Sequence, residues 1–429
     1  MEIASYKINI FFFSILCYDA HSWVHCTSFE TISQPPLGYF FEKGGIFLKT
    51  VGIICEYNPF HLGHWKQFEH IRRKCGPDTV IVCLMSGNYV QRGMPAVFDK
   101  SFRARAAIDC GADLVLELPT IYALSSAEGF AAGGVRILSS FCDALCFGSE
   151  TGNEKALIET AQALLSPEFS PILRKHLESG CSFPTARQQA LQEMGIDASL
   201  LSRPNDILAV EYCKAILTLG CDMMPMPIRR DGNYHDISAD SDHPSATSLR
   251  QLLQEGKALD GYLPSAAAAV FQNAPIHTHQ AGERAILSQL RRMDDPEFEA
   301  LPYGAEGLWR KLMHASRSCG TLEEILAATK SKRYTRTRLD RMVMCAYLGI
   351  TETLLQSTVP YVRVLGFSDA GIPALKKARE TGLFPHIGEK TGDPYEKLEQ
   401  RWDDLYGLFC HSAPAPSGQS ALRRVYIRK

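Results

Sequence analysis

The chain has 429 residues, 45 Lys and Arg against 47 Asp and Glu, a formal charge of -2 at pH 7, and 45% hydrophobic residues. This length suits two or three domains with ample material for a buried core, and the near-neutral balance excludes a uniformly basic nucleic-acid binder, so any basic surface must be local. The 14 cysteines are scattered without a CxxC pair, which excludes zinc-finger and disulfide-framework proteins and suits reduced, buried thiols in a cytoplasmic protein.

Residues 1–48 read as a leader apart from the folded protein. Its apolar run, Ile8 to Leu16 (INIFFFSIL), is shorter than the roughly 20 residues a bilayer span requires, and no small-residue cleavage site follows. The Glu42 to Gly45 stretch (EKGG) can be encoded by purine-rich codons that recruit a bacterial ribosome, which would make Leu48 an alternative start. The leader is then either untranslated or a disordered or membrane-associating segment.

From Thr50 the pattern changes. Thr50 to Cys55 (TVGIIC) and Thr79 to Gly87 (TVIVCLMSG) are β-branched runs suited to buried strands. The segment between them carries apolar residues at Trp65, Phe68 and Ile71 and ends at Gly76, a helical spacing with a stop. Strand, helix, strand over this length is a βαβ unit, which implies a parallel sheet. SFRARAAIDCGAD predicts a second helix, DLVLELP a third strand stopped by Pro119, ALCFGSE a fourth and MPMPIRR a fifth, with DILAVEYCKAILTLG a helix between the last two. The fold class is therefore α/β, a doubly wound parallel-sheet domain over residues 49–264. After Pro264 strand-like runs become rare and residues 265–429 read as mainly α-helical, with a flexible SAPAPSGQS linker before a basic end, RRVYIRK.

Two stretches carry chemistry. CEYNPFHLGH places His61, Gly63 and His64 where the first strand hands over to the first helix. Ligands of open parallel sheets bind at the carboxyl ends of the strands, and a helix start there offers N–H groups to phosphate. Two imidazoles about one turn apart share a face and can both donate to a phosphate oxygen; on spacing alone they are equally readable as capping or surface histidines. No third His or Cys is spaced to complete a zinc site, so no metal ligand set is assigned. In HPSATSLRQLL, Ser245 or Thr247 can cap a helix whose first turns carry Arg250, an anion-binding combination or an ordinary capped helix.

Taken with MSGNYVQRGMPA, GADLVLELP, LCFGSE and GNYHD in the same order, these stretches resemble the tRNA(Met) cytidine acetate ligase family of the HxGH nucleotidylyltransferase superfamily, over nearly the whole chain beyond the leader. The resemblance implies an ATP-dependent ligase that activates acetate as acetyl-adenylate and acetylates N4 of the wobble cytidine of elongator tRNA(Met), with Mg2+ accompanying ATP. Carried over by position, it implies His61, His64 and Arg250 as catalytic groups. It gives an ATP cradle of Ile54, Cys55, Glu56, Tyr57, Asn58, Pro59, Phe60, His61, Leu62, Gly63, His64, Trp65, Lys66 and Gln67. Gly148, Asn205, Arg229 and Arg230 complete that pocket, although Asn205 also suits a helix cap and adjacent Arg side chains on a strand point to opposite faces. Leu62 stands where the family block has Asn.

Ser86, Asn88 and Gln91 are candidate acetate or cytosine contacts in a loop after the second strand. For the RNA, KSKRYTRTRLDR offers Lys330, Lys332, Arg333, Arg336 and Arg338, with Tyr334 able to stack on a base. Lys100, Arg103 and Arg105 form a second basic cluster, and Arg423, Arg424, Arg428 and Lys429 a mobile basic end. The rival readings are an adenylyltransferase of cofactor biosynthesis and a non-catalytic, ATP-sensing RNA-binding protein.

Overall fold

The computed structural model describes residues 49–229, 245–388, 390–419 and 424–428; the leader and Arg230 lie outside them. The strands are β1 (Thr50–Cys55), β2 (Val80–Ser86), β3 (Tyr89–Val90), β4 (Met94–Pro95), β5 (Leu114–Leu118), β6 (Ala144–Ser149), β7 (Met224–Arg229), β8 (Tyr361–Val362), β9 (Val364–Ser368), β10 (His386–Ile387) and β11 (Tyr426–Arg428). Seven of them form one sheet in the order β11-β9-β5-β2-β1-β6-β7, while β3 and β4 make a hairpin and β8 pairs with β10. The five strands from β5 to β7 run parallel, Thr50 opposite Val80 and Ala144 opposite Met224.

Helices cover both faces of that sheet, which is why its central strands are continuous apolar runs rather than alternating ones. One face holds α1 (Leu62–Cys75), α2 (Lys100–Asp109) and the helix Ser265–Phe271, packed through Phe68, Ile71, Ala104, Ile108 and Phe271. The other holds the helices Ala127–Leu138 and Pro204–Leu219 through Val135, Leu138, Val210 and Tyr212. Phe68 and Ile71 are fully buried, each contributing roughly 1.5–3 kcal/mol of apolar transfer. A third core, mainly helical, gathers Ile286, Leu312, Ile325, Met342, Trp402 and Phe409, and takes in Tyr89, Ile121 and Leu124 from the α/β region.

The C-terminal half is mainly helical and also returns to the sheet. β9 pairs antiparallel with β5, Leu114 opposite Phe367, and β11 lies parallel to β9. Arg428 therefore sits in a strand, its guanidinium donating to the Ile108 carbonyl at 2.6 Å, which corrects the expectation of a mobile basic end at this residue; Arg423 and Lys429 lie outside the described residues. Among the described residues no helix is long and apolar enough to cross a membrane.

Candidate nucleotide site

From β1 the chain moves outward through β2 to β5, then crosses behind the sheet on the helix Ala127–Leu138 to place β6 on the other side of β1. The strand order thus reverses between β1 and β6. In a doubly wound sheet the crevice beyond the carboxyl ends of the two strands flanking this reversal is where a ligand fits. The segments leaving those ends are Glu56–His61 and Glu150–Asn153.

His61 is the N-cap of α1, with extended backbone at φ -142°. Its Nδ1 accepts the Gly63 N–H at 3.0 Å, and the His61 N–H donates to His64 Nδ1 at 3.2 Å, a capping box made of two histidines. The rings stack with centroids 3.8 Å apart and planes 30° apart. With both Nδ1 atoms accepting, each neutral ring carries its proton on Nε2, so the pair presents N–H donors rather than acceptors. Gly63 makes this possible: a Cβ there would lie 2.8 Å from His61 Cε1.

Below the histidines, Tyr57 and Phe60 are buried and meet the His64 ring at 4.8 Å and 5.6 Å. Asn58 Oδ1 accepts the Val97 N–H at 2.7 Å, and the Asn58 carbonyl accepts from Arg250 Nη1 at 2.8 Å. Ser245 caps the helix Ala246–Gln254 by accepting the Ser248 N–H, and that helix delivers Arg250 to the same loop as the histidines. The three expected catalytic residues are therefore brought together. Of the expected cradle, Cys55, Tyr57, Asn58, Pro59, Phe60 and His61 are buried, Ile54, Glu56, Leu62, His64 and Gln67 half-buried, and Gly63, Trp65 and Lys66 exposed. Burial pushes the Cys55 thiol well above its ordinary value, which removes it as an acyl-carrying nucleophile at neutral pH.

On the β6 side, Asn205 does not cap its helix. Glu150 takes that role, accepting the Asn205 and Asp206 N–H groups at 3.1 and 2.7 Å and the Asn205 side-chain amide at 2.7 Å; an anion at a helix N-terminus is favoured by the helix dipole. Gly148 lies just before it, and Arg229, paired with Ser149 in the sheet, is exposed beside Gly152. α1 reaches this side through Gln67, whose amide donates to Cys146 Sγ at 3.5 Å.

The structure adds Arg103, fully buried on α2. Its guanidinium donates to the carbonyls of Phe98 at 2.8 Å, Glu56 at 2.7 Å, Ser86 at 3.1 Å and Gly87, binding the loops that leave β1 and β2 into one unit. Lys100 is equally enclosed, its Nζ bonded to Glu117 at 2.6 Å and Asp403 at 2.7 Å. Neither can meet RNA phosphate, which corrects the expectation of a second basic cluster; of the three, Arg105 alone is exposed.

A family model described as HIGH Nucleotidyl Transferase matches residues 48–419. The tRNA(Met) cytidine acetate ligase of Clostridium acetobutylicum is 35% identical over 374 residues, covering 82% of this chain and 92% of that protein. That of Alkaliphilus metalliredigens is 36% identical over 423 residues, covering 89% and 99%. The chain belongs to the tRNA(Met) cytidine acetate ligase family. Two crystal structures of Thermotoga maritima TmcAL superpose on it over 89% of this chain and all of theirs: the apo form with TM-score 0.82 at 28% identity, and one bound with alpha-thio ATP with TM-score 0.80 at 27%.

In this member of the family, the basic segment between the helices Leu322–Thr329 and Arg336–Leu348 lies at the surface. Lys330, Lys332, Arg333 and Arg336 are exposed and Arg338 half-buried. Arg333 pairs with Glu306 at 2.8 Å and Arg336 with Glu323 at 2.7 Å, while Arg338 donates to the Tyr303 carbonyl at 2.9 Å and lies over the Tyr334 ring. The Arg333–Glu306 pair is exposed and contributes little, whereas Arg336 also bonds, at 2.9 Å, Asp340, whose side chain is largely buried. Gly93, at the tip of the β3–β4 hairpin, packs against Arg341 of the same helix, so this surface adjoins the loop that leaves β2.

Proposed function

We propose that the chain is an ATP-dependent ligase that activates acetate as acetyl-adenylate and transfers the acetyl group to N4 of the wobble cytidine of elongator tRNA(Met). The observation that carries the reading is the His61–His64 capping box at the point where the strand order reverses. The relatives named for this ligation and the neighbour bound with alpha-thio ATP support it.

In the first step a carboxylate oxygen of acetate attacks the α-phosphorus of ATP and the bond to the β-phosphate breaks, releasing pyrophosphate. His61 and His64 donate Nε2–H, and Arg250 supplies positive charge, where the phosphates gain negative charge. The nucleotide lies across the crevice, with Gly148, Asn205 and Arg229 on its β6–β7 side. Among the described residues no three His, Cys, Asp or Glu side chains gather into a cation site. Mg2+ would arrive on the triphosphate, the usual mode for this ion. In the second step the cytidine N4 attacks the acetyl carbonyl, AMP leaves and N4 loses a proton. The base must be unstacked to reach the adenylate, and Ser86 and Gln91 stand at the loop that would receive it; Asn88 is 2% exposed with its side-chain amide bonded to Lys100 and Asp403, which corrects the expectation that it contacts acetate or cytosine. Lys330, Lys332, Arg333, Arg336 and Arg338 would hold the RNA backbone.

The test is incubation of the full chain with ATP, Mg2+ and isotopically labelled acetate, with and without bulk tRNA, followed by mass spectrometry of digested RNA. Label in N4-acetylcytidine with pyrophosphate release upholds the proposal. Label that stops at acetyl-adenylate overturns the RNA half of it, and no adenylate overturns both halves.

A further inference from the structure

The β3–β4 hairpin, which carries the loop proposed to receive acetate or cytosine, is held from the far end of the chain. Asn88 is 2% exposed. Its Oδ1 accepts the Lys100 N–H at 2.8 Å and its Nδ2 donates to Asp403 Oδ1 at 2.9 Å. The other Asp403 oxygen accepts from Lys100 Nζ at 2.7 Å and lies 3.5 Å from Arg363 Nη1, while Glu117 pairs with the same two cations at 2.6 and 3.0 Å. Two cations and two carboxylates thus pair directly beneath the loop, and the buried Glu399 feels the charge of all four. Burial alone would raise the Glu117 carboxyl, but Lys100 and Arg363 outweigh it and hold it below its ordinary value. The helix that supplies Asp403, Pro394–Tyr406, makes two more contacts to the hairpin: Tyr89 Oη donates to the Trp402 carbonyl at 2.9 Å, and Tyr406 Oη donates to the Ala96 carbonyl at 2.8 Å.

The opposite side of the hairpin faces the two functional regions. The Gln91 N–H donates to Glu56 Oε1 at 2.8 Å, next to β1, and the Gln91 carbonyl accepts from Arg341 Nη1 at 3.4 Å, on the basic helix. Gly93 has φ +77°, and a Cβ there would lie 2.3 Å from the Arg341 backbone nitrogen, so the fit leaves no slack.

We propose that Asp403 is a positioning residue for acetyl transfer: by fixing Asn88 and Lys100 it seats the hairpin between Glu56 and Arg341, and so holds the nucleotide crevice and the RNA surface in register. The proposal rests on the ligase reading for its chemical consequence, while the seating is independent of it. Asp403→Asn removes one charge from the set and puts a donor at one of the two positions where Asn88 and Lys100 each need an acceptor. Asp403→Glu keeps the charge.

The experiment uses the full chain as wild type, D403N, D403E and N88A, and reads amide hydrogen exchange together with steady-state kinetics. In D403N, residues 87–97 should exchange roughly tenfold faster while residues 61–75 of α1 are unchanged. KM for ATP should stay within about twofold, and kcat for N4-acetylcytidine formation should fall about tenfold or more, with part of it recovered in D403E. Unchanged exchange at 87–97, faster exchange everywhere alike, or an intact kcat overturns the proposal. If D403N does not fold, N88A, which leaves all four charges in place, must show the same local exchange and the same loss of kcat; wild-type behaviour of N88A overturns the proposal. Should the wild type acetylate no RNA, the ligase reading fails, and the exchange comparison by itself upholds or overturns the seating by Asp403.

Discussion

The imidazole of His64 stacks on that of His61 at 3.8 Å, and the His61 backbone N–H donates to His64 Nδ1, so one residue is both the cap of α1 and half of the proposed phosphate site. The two roles separate by substitution. His61→Ala should lose the cap, about 1 kcal/mol of stability, and lower adenylate formation by roughly a hundredfold. His61→Asn should restore most of the stability and none of the activity. Denaturant midpoints and pyrophosphate release measure the two effects; an Asn variant as active as the wild type would contradict the assignment.

Gly63→Ala should split stability from activity in the same way. The new methyl would sit 2.8 Å from His61 Cε1 and 3.0 Å from Nδ1, so the ring must move. Alanine itself favours a helix by up to about 1 kcal/mol over glycine. A Tm that is unchanged or higher, with adenylate formation reduced, is the expected pair of results.

Lys100→Met should act as a stability mutation. It leaves Glu117 and Asp403 to share Arg363 in a site where their side chains are 5% exposed, and breaking a buried ion network costs about 3–5 kcal/mol. Urea unfolding should show that loss, and the RNA affinity of the molecules that remain folded should match the wild type.

His279 predicts an acid-side dependence of stability. Burial, then the charge of Arg336, lower its pKa from 6.5 to about 4. The unfolded chain therefore binds a proton through this window that the folded chain does not, and stability falls as pH drops from 6.5 towards 4. The contribution lost by pH 4 is on the order of 3 kcal/mol. His279→Asn should flatten the Tm profile between these pH values and leave it unchanged above them.

Arg333 and Arg336 should matter for RNA, and Arg333 little for folding. Replacing Arg333 by Gln removes an exposed pair worth under about 1 kcal/mol, whereas replacing Arg336 also takes the partner of Asp340, whose side chain is 11% exposed. If each meets a phosphate, the slope of log affinity against log salt should fall by about 0.7–0.9 for each residue replaced. A salt titration of tRNA binding whose slope is unmoved would take both out of the interface.

The sheet's parallel part was legible because strands buried on both faces are continuous β-branched runs, as in Thr50 to Cys55 and Val80 to Ser86. β9 was not: VLGFS alternates between buried and half-buried, contains a glycine, and pairs with a strand far away in sequence. The site was legible where one segment carries it, from Glu56 to Gln67, and where Ser245 and Arg250 announce a capped helix. Arg103 and Lys100 were misread as surface because counting charges in a window registers the cations and not their acceptors. Those acceptors are the carbonyls of Glu56, Ser86 and Gly87 and the carboxylates of Glu117 and Asp403, on other segments of the chain. Glu150 had a local signal, an acid between a strand end and a helix start, that the reading of Gly148 passed over.

The antiparallel pairing of β5 with β9 also dictates an order of events on the ribosome. Leu114, Val115 and Leu116 find their outer partners only when Val364 to Phe367 have been made, and Lys100 finds its second carboxylate only with Asp403. Until then a nascent chain carries an open, apolar strand edge, the feature most prone to pair with a neighbouring chain. Truncation ahead of Val364 should therefore yield a fragment that aggregates, and the hairpin after β2 waits for a partner 315 positions further along the chain.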